Sequence, residues 1–277
     1  MQVDSVGAVG AEISGVDLAR LDDRAFAEIK QAFLDHLVLF FRDQRLSPEQ
    51  QVALTRRFGP VLRVPYVAHL AEHPDIIAVL KEAEERQVST FGNAWHSDFS
   101  FLEEPPAGSL LYALETPAHG GDTLWANMYM AYETLSEGMR RMLDGLKAIH
   151  TGKPYGVQGG AGIRGSRSIQ ITRGDPEADR EIAHPVVRTH PESGRKALFV
   201  NAIYTTRFEG MSEAESRPLL NFLFEHSTRP EFTCRFRWSN RTLVIWDNRC
   251  TLHYAVNDYD GYRRLLHRTT FAGERPV

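Results

Sequence analysis

The sequence predicts a mainly β chain, a double-stranded β-helix (jelly roll, cupin-like) with flanking helices. Two patterns point there. Short apolar runs separated by turn residues dominate the chain after Asp98, as in double-sheet architectures. Helical patterns are few and bunched toward one end. The 277 residues, 42% of them hydrophobic, suffice for a substantial core, and no internal repeat or low-complexity linker divides them, so 1–277 is expected to be a single domain.

The elements follow in order. Asp22 and Asp23 precede Phe26, Ile29, Phe33 and Leu34, an apolar face at helical spacing. Residues 37–41 (LVLFF) form a short buried strand. Ser47-Pro48-Glu49-Gln50 is a capping box with proline in the first turn, and its helix runs to Phe58, where Gly59 stops it. Residues 76–80 are a strand. The charged stretch 81–93 has no clean period and leads into His96; it reads either as a solvated loop or as a lid over 81–95. A helix is expected over 136–146. The glycine-rich run 156–165 sits in a flexible insertion over 151–182, and it lacks the Gly-Lys-Ser or Gly-Lys-Thr of a phosphate cradle. A further helix over 212–226 precedes strands over 232–238, 242–247 and 264–271.

Composition narrows the function classes. A net charge of −4 argues against a nucleic-acid partner. No apolar run approaches a membrane span, and the first ten residues carry no signal-peptide pattern. Cys234 and Cys250, the two cysteines, make no disulfide framework and suit a reducing cytoplasm.

The chemistry concentrates in His96-Ser97-Asp98, His253 and the last strand. Residues two apart on a strand share a face, so His96 and Asp98 could hold one ion together if that stretch is extended. With His253 they make two imidazoles and one carboxylate, the facial triad of non-heme Fe(II) oxygenases. On the last strand Arg264, Leu266, Arg268 and Thr270 share one parity. Two such arginines are costly to bury without anions; they mark either a carboxylate site or a salt-bridge pair at the sheet edge. His119, His150, His184 and His226 read as surface or turn residues, and Trp95, Trp125 and Trp246 as core packing. Cys250 reads as a small buried side chain rather than an activated thiol.

The motifs Trp95-His96-Ser97-Asp98, Gly120-Gly121-Asp122-Thr123-Leu124-Trp125, Trp246-Asp247-Asn248-Arg249, His253-Tyr254-Ala255 and Arg264-Leu265-Leu266-His267-Arg268 resemble the taurine dioxygenase family of Fe(II)/2-oxoglutarate enzymes. The resemblance implies Fe(II) held by His96, Asp98 and His253, and 2-oxoglutarate and O2 as co-substrates. It implies that Thr123 and Arg264 hold the distal carboxylate of 2-oxoglutarate. Arg268 would lie at the inner side of the site and reach the charge of the substrate. The expected reaction hydroxylates an aliphatic carbon of a small organic anion, a sulfonate or carboxylate, releasing succinate and CO2. Val64 takes the place of a taurine-type histidine and Gly92 that of an asparagine, with Asn93 adjacent, so an anion with a more apolar body is expected. Its wall is Tyr66, Phe99, Phe101 and Tyr204. The amino-terminal third and residues 246–250 also look like the aryloxyalkanoate dioxygenases. The alternatives are a non-catalytic metal or 2-oxo-acid binder on the same barrel, a zinc hydrolase, and an oxygenase for a larger non-anionic metabolite. A homo-oligomer, dimer or tetramer, is expected.

Overall fold

The computed structural model describes residues 1–86, 88–157 and 168–277. The chain opens with β1 (Gln2–Ser5) and β2 (Ala11–Ser14), then α1 (Asp23–His36), β3 (Val38–Phe41), α2 (Pro48–Phe58) and β4 (Ile77–Lys81). The centre holds β5 (Gly108–Glu115), β6 (Thr123–Asn127), α3 (Met128–Glu133), α4 (Glu137–Leu143) and β7 (Lys147–His150). Then come β8 (Ile182–Pro185), β9 (Val187–Thr189), β10 (Lys196–Leu198), β11 (Thr205–Phe208) and α5 (Glu213–Ser227). The chain ends with β12 (Thr233–Phe236), β13 (Leu243–Asp247), β14 (Thr251–Ala255) and β15 (Arg264–Phe271).

Two sheets frame the site. The larger has seven strands in the order β1-β2-β3-β13-β5-β15-β4, and the smaller is β12-β6-β14. Side chains alternate between the faces of a strand, and β3 uses both. Val38 and Phe40 point toward the smaller sheet, where the Phe40 ring meets Trp125 at 5.5 Å and stacks on Phe236 at 4.2 Å. Leu39 and Phe41 join Ile29, Phe33 and Leu54 on the opposite face, where α1 and α2 cover the sheet. β13 repeats the pattern: Val244 and Trp246 face inward, Leu243 and Ile245 outward. Both strands are buried on every residue, which is why they read as continuous apolar runs.

The expected elements form with small shifts. Asp22 caps α1, and the capping box of Ser47 and Gln50 is present in full. The helix expected over 136–146 ends at Leu143, because Gly145 takes a positive φ and Lys147 begins β7. The helices are not bunched at one end. α1 and α2 cover the large sheet, whereas α3 packs on β10 and α5 on β11. No helix is long and apolar enough to cross a membrane among the described residues.

Candidate active site

His253 lies mid-strand on β14. His96 lies on no strand and makes a single antiparallel bridge to it: His253 N donates to His96 O at 2.8 Å and His96 N to His253 O at 3.1 Å. The chain turns from Asp98, with Phe99 at φ 45°, so the strand on which the sequence reading was conditional does not form. The bridge and the turn bring His96 and Asp98 together instead. Ser97 Oγ pins the turn by donating to Asn248 O at 2.7 Å.

Both imidazole Nε2 atoms stand 3.8 Å from Asp98 Oδ1, and all three side chains are buried. His96 Nδ1 is 2.7 Å from Ala94 O. A carbonyl only accepts, so Nδ1 carries the proton and Nε2 keeps its lone pair for a ligand. Burial, reinforced by neighbouring His96, lowers His253 to about 3, and burial likewise lowers His96. Burial alone would raise Asp98, but Arg268, 3.0 Å away, and the imidazoles bring it down to about 2. Ser109 Oγ donates to its other oxygen at 3.0 Å. The contacts at 3.8 Å are therefore ligand spacings rather than ion pairs. One donor atom from each residue lies within 4.8 Å of the others, a set of neutral nitrogens and an ionised carboxylate that could hold a divalent transition metal.

An inner cavity of about 40 Å³ opens beside the triad, lined by Thr123, Trp246, Arg264 and Arg268. Arg264 is buried, and its Nε has no partner. No carboxylate lies at ion-pair distance among the described residues; its guanidinium sits 5.7 Å from the Trp238 ring and 5.9 Å from Tyr259. Burial lowers its pKa, partly offset by Tyr259 and Asp122. An incoming carboxylate would remove the cost of that lone buried charge. Thr123 Oγ1 accepts the Trp238 Nε1 proton at 2.9 Å, which leaves its own O–H to donate. Arg268 gives Nη1 to Asp98, while its Nε and Nη2 are buried without partners.

A second, outer cavity of about 170 Å³ has His96 and Asp98 in its lining. Phe99, Tyr155, Tyr204, Ile169 and Ile171 give it a mostly apolar wall, and Asn93 adds an amide. The Tyr155 and Tyr204 hydroxyls are 3.4 Å apart, and burial pushes both upward, so both stay protonated. Of the substrate contacts expected from the sequence, Asn93, Phe99 and Tyr204 line this cavity. Tyr66 and Phe101 do not; they pack on Tyr155 at 5.2 and 5.8 Å, one layer behind the lining. Arg268 is likewise absent from the outer lining among the described residues, with Nη1 on Asp98 and a place in the inner lining; the cation among the described outer residues is Arg173. Val64 is a core residue and lines neither cavity. Gly92 takes φ +83°, and a Cβ there would come within 3.2 Å of the His96 ring, so packing on the ligand favours glycine.

Sequence reasoning missed Tyr155, Ile169, Ile171 and Arg173. A signal existed: Ile169-Gln170-Ile171-Thr172-Arg173 alternates at the strand period, and Ile171 bridges Val67. The glycine-rich character of the preceding stretch obscured it; residues 158–167 of that stretch lie outside the described residues. His150, His184 and His226 are buried rather than at the surface, and each ring finds an internal partner through one nitrogen: the Ser100 hydroxyl, Leu102 O and Ala131 O. His119 is exposed. Cys250 is buried, and burial raises its thiol well above the ordinary value, so it is no activated nucleophile.

Known proteins resemble this chain in sequence and in fold. Residues 2–270 match the family described as Taurine catabolism dioxygenase TauD, TfdA family. The chain is 38% identical over 271 residues to the alkylsulfatase of Acinetobacter baylyi, covering 97% of this chain and 83% of that protein. It is 37% identical over 273 residues to the alpha-ketoglutarate-dependent sulfate ester dioxygenase of Pseudomonas putida, covering 98% and 89%. The crystal structure of a taurine dioxygenase from Burkholderia xenovorans superposes with a TM-score of 0.83 at 36% identity, covering all of this chain and 92% of that one.

Proposed function

Because the chain belongs to the TauD, TfdA family and is an alpha-ketoglutarate-dependent dioxygenase, we propose that it oxidises a carbon of a small organic anion with an apolar body. Sulfate esters are the favoured class. Two curated relatives are named for them, and the outer cavity is mostly apolar with one cation among its described residues. The observation that carries the reading is a metal triad standing next to an unneutralised buried arginine, Arg264. In this reading β6 and β14 face β15 across the interior of a double-stranded β-helix. Within the lid read over 81–95, residues 89–94 wall the outer cavity, tied down where Asn257 Nδ2 donates to Val88 O and where the Thr90 and Tyr259 hydroxyls meet.

His96, Asp98 and His253 would hold Fe(II). With 2-oxoglutarate and O2, bound iron supplies the oxidising power that converts the oxo acid to succinate and CO2 and hydroxylates a substrate carbon. Arg264 and the Thr123 hydroxyl bind the distal carboxylate. Arg268 keeps Asp98 ionised and oriented. Phe99, Tyr155 and Ile171 exclude water from the reacting carbon. If that carbon bears the ester oxygen, its hydroxyl passes a proton to the leaving sulfate as the C–O bond breaks, giving an aldehyde and hydrogen sulfate.

The test is a panel of alkyl sulfates, alkylsulfonates and aryloxyalkanoates, scored by succinate released above the no-substrate background. Alkyl sulfates should rank first, with equimolar inorganic sulfate. Stimulation by neutral alcohols alone would overturn the anion class.

A further inference from the structure

Among the described residues of the outer cavity's lining, Arg173 stands beside side chains that are otherwise neutral or, in Asp98, negative. Residues 170–172 pair antiparallel with Tyr66–Ala68: Ala68 N donates to Gln170 O at 2.9 Å, and Thr172 N to Tyr66 O at 2.8 Å. On an extended segment every second side chain shares a face, and Ile169, Ile171 and Arg173 all reach the cavity. Two branched aliphatics are thus followed by one guanidinium. Asp98 is already matched by Arg268, so it leaves the charge of Arg173 unneutralised. No carboxylate lies at ion-pair distance from Arg173 among the described residues. Its one hydrogen bond among them goes from Nη1 to Pro154 O at 2.8 Å, which spends one donor of five on a neutral carbonyl. The bond also aims the group, since Pro154 and Tyr155 belong to the same wall. Arg268 gives Nη1 to Asp98 and lines the inner cavity rather than this one.

We propose that Arg173 is a specificity-determining cation of the outer cavity, holding the sulfate or carboxylate head of an organic anion whose apolar body packs against Ile169, Ile171 and Phe99. The inference rests on reading the outer cavity as the substrate site. The bare alternative is that Arg173 only braces the turn at Pro154. A charge-neutral variant that can still donate to that carbonyl separates the two.

The experiment compares the native chain with Arg173→Gln and Arg173→Lys, each loaded with Fe(II) and 2-oxoglutarate without oxygen. Hexyl sulfate and hexan-1-ol are titrated calorimetrically, and steady-state KM values follow in air. Arg173→Gln should weaken hexyl sulfate binding roughly tenfold or more, the loss of one charge-assisted contact. Hexanol affinity should change less than about twofold, and Arg173→Lys should recover most of the loss. Unchanged hexyl sulfate affinity in Arg173→Gln overturns the proposal, as does an equal loss for sulfate and alcohol, which would make the residue a brace. If the native chain binds neither hexyl sulfate, hexanesulfonate nor hexanoate, the substrate class fails and Arg173 falls with it. Native binding with an indifferent variant removes Arg173 alone.

Discussion

The buried ionisable groups around the triad divide into paired and waiting ones, and substitutions should separate them. His96→Ala, Asp98→Ala and His253→Ala should each reduce succinate formation to background and lower bound iron, measured by metal analysis after gel filtration. Native succinate yield in any one of them would remove that residue from the triad. Arg264 has no carboxylate partner among the described residues. Arg264→Ala should weaken 2-oxoglutarate binding roughly 10- to 100-fold, the equivalent of a charge-assisted contact of about 1.5–3 kcal/mol. Thr123→Val should cost less, because Thr123 offers a single neutral donor. A 2-oxoglutarate affinity untouched by Arg264→Ala would leave that arginine a structural role between Trp238 and Tyr259. The sequence showed the paired parity of Arg264 and Arg268 plainly. It could not show that Asp98 claims one of them, because that contact joins residues 170 positions apart.

At the scale of elements, two devices hold the scaffold. The capping box of α2 satisfies two orphan N–H groups, so Ser47→Ala should cost about 1 kcal/mol and lower Tm by about 2–4 °C. Affinity for 2-oxoglutarate should not move, and a Tm equal to native would mean that water replaces the cap. The turn joining β13 to β14 depends on Asp247, which accepts from His190 Nε2 at 3.0 Å and from Arg249 Nε and Nη2 at 2.9 and 2.7 Å. Arg249 and His190 hold that carboxylate far below the ordinary range despite its burial. Asp247→Asn would leave Arg249 with Glu192 alone as its carboxylate partner and should cost about 1.5–3 kcal/mol, read as a fall in the denaturation midpoint; an unchanged midpoint would contradict it. Elements with their own local grammar were legible in the sequence: α1 and α2 through their caps, β3 and β15 through period. The segment carrying His96 was not, because one bridge and one left-handed Phe99 make no period at all. The helix distribution was misjudged for a related reason, since which sheet face a helix covers is decided by distant partners.

For the molecule as a whole, buried neutral histidines set the acid limit. Burial lowers His150 to about 3 and His184 to about 4 from an ordinary 6.5. Between those values the unfolded chain binds protons that the folded chain refuses, so stability rises with pH there and is lost as pH falls from about 6.5 toward 4. Each histidine contributes at most about 1.4 kcal/mol per pH unit. Tm should drop clearly from pH 7.5 to pH 5, with a shallower slope in His150→Gln; a flat profile would show that the rings ionise in place. A different consequence follows from the bridge between His96 and His253. Main-chain bonds, not an ion, hold those two ligands side by side, so the nest exists before any metal arrives. A preset nest of imidazole and carboxylate has little means of turning away ions higher in the Irving–Williams order than iron. Mis-metallation is then a matter of supply: protein made in a zinc- or copper-rich medium should fold fully, sit idle, and recover activity when chelated and reloaded with ferrous iron.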